Sequence, residues 1–227
     1  MNELVISGLV LGVAAASFLV WRGLRSSRRA QLRRIAHSLG LERVADRAVL
    51  EDAGPLRRKP FEGPDTQLVT AWRGELLGAQ LWAIELARGG APADPVVLLR
   101  DGSDPLPPFE LLPRGNAGPT GLHFHGHERF GELFALHCED EEAVRHVFRD
   151  EVVGFFERAE NLSWLLVADG DWLAITVAPL GERRRRLDPK HIAGFVEDAK
   201  VLYRVLRGAP PRPRIGRDRT AARSAQS

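Results

Sequence analysis

The HxHxH pattern of His123, His125 and His127 is the group of side chains whose spacing could do metal chemistry. Alternate side chains of an extended segment share a face about 6.6 to 7 Å apart, so two of these imidazoles could bind one zinc ion. The outer two lie about 13 Å apart, so further ligands have to come from His137, Glu128 or a distant acid. The pattern therefore favours a solvated histidine-rich loop, with a zinc site as the alternative.

Nucleophilic and phosphate chemistry find less support. His137 and Cys138 are adjacent, and neighbours on a strand point to opposite faces, so they cannot form a thiolate–imidazole pair. The acidic run Glu139–Glu142 is typical of a helix start, where the positive end of the helix dipole favours carboxylates. No GxxxxGK[ST], GxGxxG, GxSxG or HExxH pattern occurs. We therefore assign no catalytic residue and expect a protein that is not an enzyme.

The composition of the chain indicates what kind of domain holds these residues. The 227 residues, 44% hydrophobic and 27% charged, predict one packed domain with short appendages, and a single cysteine excludes an intramolecular disulfide. The net charge of +2 is unevenly spread, because residues 35–206 hold 20 basic and 28 acidic side chains. Residues 22–34 and 207–227 each carry six arginines. The predicted domain is therefore acidic between two basic flanks.

An uninterrupted apolar run extends from Leu4 to Trp21 and contains only two serines. As a helix, its 18 residues span about 27 Å, close to the hydrocarbon thickness of a bilayer. A signal peptide is disfavoured because the arginines follow the apolar run, and a buried core helix because no polar stripe is present. The sequence predicts a transmembrane anchor over residues 1–21. Its small residues recur every four positions and predict a homodimer seam at Gly8, Gly12 and Ala16.

Arginines after an apolar span mark its cytoplasmic side. We therefore expect a single-pass protein of a bacterial inner membrane, with its N-terminus outside and its domain in the cytoplasm. Two arginine clusters could contact lipid headgroups or an acidic partner, and the alternative for the second cluster is a charged, solvated loop. They are Arg22, Arg25, Arg28, Arg29, Arg33 and Arg34 in the first, and Arg183, Arg184, Arg185 and Arg186 in the second.

Hydrophobic periodicity predicts an α+β domain, in which a mostly antiparallel sheet is covered by amphipathic helices. We expect a basic juxtamembrane helix within residues 22–41, a loosely structured connection at 42–65, the domain at 66–206 and a disordered tail at 207–227. Strands are predicted at 67–73, 77–87, 96–100, 109–112, 130–138, 163–168 and 172–178. Helical periodicity runs from Val144 to Phe155 and again after Pro189.

Four segments carry a resemblance: RRIAHSLGL (33–41), PPFELLP (107–113), RFGELFALHCEDEEAVRHVF (129–148) and GDWLAI (170–175). Together with the last helix, they resemble a widespread bacterial family of uncharacterised, often membrane-anchored proteins, over about residues 31–206. The resemblance implies a fold and a membrane setting, but no activity.

The function expected from the sequence is that of a membrane-tethered cytoplasmic binding or scaffolding module with an unidentified protein partner. The alternative is a membrane-tethered metal-dependent enzyme or metal sensor that uses the HxHxH pattern. Binding of nucleic acid is disfavoured because no aromatic residues accompany the arginines of the tail.

Overall fold

A computed structural model describes residues 30–44, 53–58, 61–63, 65–88, 94–116, 121–158, 164–177 and 189–208. The predicted anchor with its dimer seam, Arg22 to Arg29, the Arg183–Arg186 block and residues 209–227 lie outside these ranges. Within the described ranges, no helix has both the length and the apolar composition that crossing a bilayer takes.

The described strands form one eight-stranded antiparallel sheet, in the order β1-β2-β3-β4-β8-β7-β5-β6. Strands β1 to β4 follow one another across the sheet, whereas the β7–β8 hairpin is inserted between β4 and β5. Strand β6 is consequently one edge of the sheet. The strands are β1 (Glu42–Arg43), β2 (Thr66–Leu76), β3 (Ala79–Arg88), β4 (Asp94–Arg100), β5 (Leu106–Pro113), β6 (Phe134–Cys138), β7 (Trp164–Gly170) and β8 (Trp172–Val177).

Five α-helices accompany the sheet in the described residues: α1 (30–38), α2 (Glu128–Leu133), α3 (Glu141–Val147), α4 (Asp150–Arg158) and α5 (Pro189–Leu206). Two short 3-10 turns lie at Gly54–Arg57 and Arg114–Asn116. The architecture confirms the predicted α+β class with an antiparallel sheet.

Each face of the sheet carries a cluster of buried side chains. The first face packs against the helices, and Phe130, Phe148 and Phe156 form an aromatic group there with ring centroids 6.0 to 6.2 Å apart. The second face carries a separate cluster that includes Trp82, whose ring centroid lies 5.2 Å from that of Trp172. Two buried surfaces on one sheet require a cover on each side.

Helix α5 confirms the helix that the apolar periodicity after Pro189 predicts. Its apolar stripe is buried, and Gly208 takes the left-handed conformation that ends a helix, at φ 69°. Helix α1 is likewise amphipathic, because Leu32 and Ala36 are buried while Arg33 and Arg34 are exposed. The stripe of α5 consists of Ile192, Phe195, Val196, Ala199, Leu202, Tyr203 and Leu206.

Three local predictions were wrong. The first hairpin turns at Leu77 and Gly78, both with positive φ, rather than at Gly74, which lies within β2 and packs against Leu41. Residues 130–133 are helical rather than extended, and only 134–138 form a strand. The helix predicted through residues 144–155 is two helices, separated at Phe148 and Arg149.

Residues 42–65 are more than a connection. Where the structure describes this stretch, it forms strand β1 and a 3-10 turn. Ala53 and Phe61 are both 0% exposed in the second core cluster. Because this stretch is rich in proline, glycine and charged residues, the sequence did not predict that Ala53 and Phe61 are buried. We call residues 53–58 and 61 the cover segment.

Candidate binding pocket on the sheet

Glu110 and His137 occupy the end of a row that crosses the second face of the sheet. Directly paired residues of neighbouring antiparallel strands point to the same face. The row begins with four buried apolar side chains on β3, β4, β8 and β7, and then changes to polar side chains on β5 and β6. Its members, in order, are Trp82, Leu98, Ala174, Val167, Glu110 and His137.

The cover segment lies over the apolar part of this row. Its 3-10 turn packs against β7 and β8, and Pro55 within it is buried. Gly54 lies so close to the Asp169 carboxylate that a Cβ at this position would overlap Oδ2. Arg58 Nη2 donates to Asp169 Oδ1 at 2.9 Å. These contacts place the Arg58 side chain at the border between the covered strands and β5.

Beyond this border the surface forms a pocket of about 300 Å³, open to solvent on one side. We call it the β5–β6 pocket. Arg58 forms one wall, and the other lining residues come from the two edge strands: Pro108, Phe109, Glu110, His137, Cys138 and Glu139.

The charges of the pocket are unequally satisfied. The Arg58 guanidinium is neutralised by Asp169. The side chains of Glu110, His137 and Glu139 form no hydrogen bond or ion pair with any residue that the structure describes. Glu110 and His137 are half-buried, so a partner for them would also remove part of their remaining contact with water. The pocket thus presents two unpaired carboxylates and an imidazole.

Cys138 does not supply a nucleophile to the pocket. Burial raises the pKa of the Cys138 thiol, and the nearby carboxylates of Glu141 and Asp140 raise it further. The thiol therefore stays protonated at neutral pH, whereas the thiolate is the reactive form. Cys138 packs against the helix-side core, as a small core residue before a helix should.

The predicted histidine cluster is not drawn together into a metal site. His123 and His125 are exposed in the loop before α2. The His127 ring instead approaches two acids of α4, with Nδ1 3.1 Å from Glu157 Oε2 and Nε2 3.6 Å from Asp150 Oδ1. Across the described residues, no three or more histidine, cysteine, aspartate or glutamate side chains are arranged to hold a metal ion.

His127 instead fastens the loop before α2 to helix α4. The hydrogen bond to Glu157 is the main cause that raises the pKa of His127 above 6.5. Glu157 also accepts a hydrogen bond from the backbone N–H of Phe130, at 3.2 Å. The same loop bonds to the sheet edge, where Leu122 N donates to Leu136 O at 2.7 Å. This arrangement holds the loop against β6.

Of the two predicted lipid-contact clusters, the structure describes only Arg33 and Arg34, which are exposed on α1. The pocket residues Arg58 and Glu110 had no assigned role in the sequence, and Glu139 was assigned only to the acidic run at a helix start. Glu110 could have been found, because strand alternation in PPFELLP places it opposite Phe109 and Leu111. Arg58 could not, since nothing local links it to the sheet.

The sequence matches no defined protein family and no curated protein. A similar fold is found in the crystal structure of the mycobacterial trehalose monomycolate transport factor A, TtfA, with a TM-score of 0.50 and 17% sequence identity. The alignment covers 82% of this chain and 99% of that chain. At this identity the likeness concerns the fold.

Proposed function

We propose that the protein is a membrane-tethered binding module whose β5–β6 pocket receives a segment of a partner protein. The observation that carries this proposal is the row of Glu110 and His137. These side chains, which are unpaired within the described part of the chain, continue an otherwise apolar and covered sheet face at its open end. Their polar atoms remain accessible to water, so a bound partner can reach them and supply hydrogen bonds.

Binding is favoured over catalysis by the chemistry of the pocket. Its thiol is held in the unreactive protonated form by burial. The pocket is also open to solvent, whereas a reacting centre gains from the exclusion of water.

The tether in this proposal is the apolar run from Leu4 to Trp21, with the following arginines on the cytoplasmic side of a bacterial inner membrane. Gly8, Gly12 and Ala16 would pair two such helices, and Arg33 and Arg34 would face anionic headgroups. Such a tether confines the pocket to the zone beside the membrane, where a membrane-embedded partner would present a cytoplasmic segment.

The cellular process that we propose is membrane transport. The support for this choice is the fold shared with TtfA, which is named as a trehalose monomycolate transport factor. In such a process a binding module can act by holding a transporter or its accessory subunit. The proposal also retains the resemblance of the sequence to a bacterial family of uncharacterised, often membrane-anchored proteins.

Photocrosslinking in membranes tests this function. Pro108, an exposed residue of the pocket wall, is replaced by p-benzoylphenylalanine in the full chain, which leaves both pocket acids in place. Glu75, which is also exposed but lies on β2, is replaced in a matched control. We expect a discrete protein adduct from position 108 that position 75 does not give. No adduct from position 108, or the same adduct from both positions, would overturn the proposal.

A further inference from the structure

The end of helix α5 is held in a fixed place beside the pocket strands. Arg207 Nη1 binds Asp104 Oδ2 at 2.7 Å, and Arg207 Nη2 lies 3.2 Å from Asp101 Oδ2. Both aspartates belong to the turn between β4 and β5. The chain therefore leaves α5, at Gly208, next to the turn that leads into the pocket strand β5.

The following 19 residues, 209–227, are long enough to reach the pocket. Asp104 precedes Pro108 of the pocket wall by four positions, which span at most about 14 Å of extended chain. An extended segment of this length covers about 60 Å. A few residues after Gly208 therefore suffice to bring the segment to the pocket rim.

The charges of the segment and the pocket are complementary. Residues 209–227 contain five arginines, Arg212, Arg214, Arg217, Arg219 and Arg223, and one acid, Asp218. The pocket offers Glu110 and Glu139, which have no partner among the residues that the structure describes, while its own cation is already neutralised by Asp169. A guanidinium can bind a carboxylate through two parallel hydrogen bonds. Prolines at 210, 211 and 213 favour the extended backbone that such a contact requires.

Attachment to the same chain makes even a weak contact effective. A short tether gives a local concentration of roughly millimolar, so contacts that would be negligible between separate molecules become populated. The chain itself thus supplies a segment whose charge is complementary to the pocket. This segment starts at a fixed place, after Gly208.

We propose that the arginine-rich segment 209–227 occupies the β5–β6 pocket of its own chain and competes there with the partner. The ligand class of the pocket is accordingly an extended polypeptide rich in arginine. The competition depends on the proposed function, whereas the intramolecular docking does not. An incoming partner segment has to displace the arginines, which makes the docked segment an autoinhibitory element.

Disulfide trapping in the full-length protein tests the docking. In a Cys138→Ala background, Pro108→Cys on the pocket wall is combined with Ile215→Cys in the segment, which leaves every arginine and both pocket acids in place. The control pairs Ile215→Cys with Leu77→Cys, an exposed position at the tip of the first hairpin. We expect the pocket pair to form an intramolecular disulfide at least about tenfold faster than the control pair. Equal rates would overturn the proposal.

Two further arms separate this inference from the proposed function. Glu110→Gln with Glu139→Gln should slow the pocket disulfide toward the control rate, and an unchanged rate would contradict the charge contact. Replacement of the five arginines by glutamine should increase the partner adduct from position 108. If trapping succeeds but position 108 gives no partner adduct, the docking stands and the proposed function fails. If position 108 gives an adduct but the pocket pair is trapped no faster than the control pair, the proposed function stands and the docking fails.

Discussion

Arg58 and Asp169, 111 positions apart in the chain, form a 2.9 Å ion pair that ties the cover segment to strand β7. Both side chains are partly exposed, so the pair itself contributes at most about 1 kcal/mol. Its importance is positional, because it fixes a charged wall at the line where the covered part of the sheet ends. The pocket therefore depends on a segment that reads as a linker in the sequence.

Gly54→Ala should disturb this wall. The added Cβ would overlap the Asp169 carboxylate, so either the turn or the Arg58–Asp169 pair must shift. We expect a loss of about 1 kcal/mol in the free energy of unfolding, the most that the partly exposed ion pair contributes, measured by urea denaturation. Gly102→Ala is the matched control, because a Cβ there meets nothing within 4 Å. Equal stability of the two variants would show that the turn does not pack as described.

Removal of Arg207 should destabilise the domain more than removal of an ordinary surface arginine. Its side chain is only 12% exposed and joins Asp101, Asp104 and the Tyr203 hydroxyl. We expect Arg207→Ala to lower the free energy of unfolding by about 2–3 kcal/mol, because two carboxylates lose their cation. Arg158→Ala, at an exposed position, should change it by less than about 0.5 kcal/mol.

The hydrogen-bond geometry around Arg207 allows a finer comparison. Tyr203 donates to Asp101 Oδ2 at 2.8 Å, and burial raises the pKa of Tyr203 to about 12. Burial alone would raise the pKa of Asp101, but hydrogen bonds from Ser103 and Tyr203 and the charge of Arg207 lower it below 3.8. Tyr203→Phe keeps the ring and should cost only about 1 kcal/mol. A loss as large as that of Arg207→Ala would place the main interaction on the hydroxyl instead.

Stability should depend on pH through His127. Its hydrogen bond to Glu157 raises the pKa of the folded state above the unfolded value of 6.5. The contribution is therefore complete below about pH 6.5 and is lost as pH rises through the folded-state pKa. Urea midpoints of the wild type and His127→Gln should differ more at about pH 5.5 than at about pH 8.5.

The exposed His125 gives the control for this pH effect. His125→Gln should leave the pH dependence of the urea midpoint as in the wild type, while Glu157→Gln should reduce it as His127→Gln does. A His127→Gln profile that runs parallel to the wild-type profile at every pH would exclude the contact as its source.

The sequence predicted those elements whose signal is local. Helix α5 could be placed because its apolar residues recur three and four positions apart, between Pro189 and Gly208. The turn at Leu77 could not, because leucine rarely takes the positive φ found there, 54°, and Gly74 offered a more familiar turn residue. Helix α2 spans only six residues, too few to show a period.

Most of the pocket could not be predicted from the sequence, for a different reason. Its wall depends on the ion pair between Arg58 and Asp169. The polar side chains of Glu110 and His137 lie side by side because the register of β5 and β6 places them opposite each other. Both relationships are set by strand order and register, which a single sequence does not reveal. His137 was considered as a metal ligand, and its place in a binding pocket followed only from the register.

The central claim is that the domain acts from a membrane tether, and fractionation of the full-length protein after an alkaline carbonate wash tests it most directly. The account predicts that the protein remains in the membrane pellet and is released only by detergent, whereas a variant that lacks residues 4–21 is released by the wash. Recovery of the intact full-length protein in the wash supernatant would contradict the account.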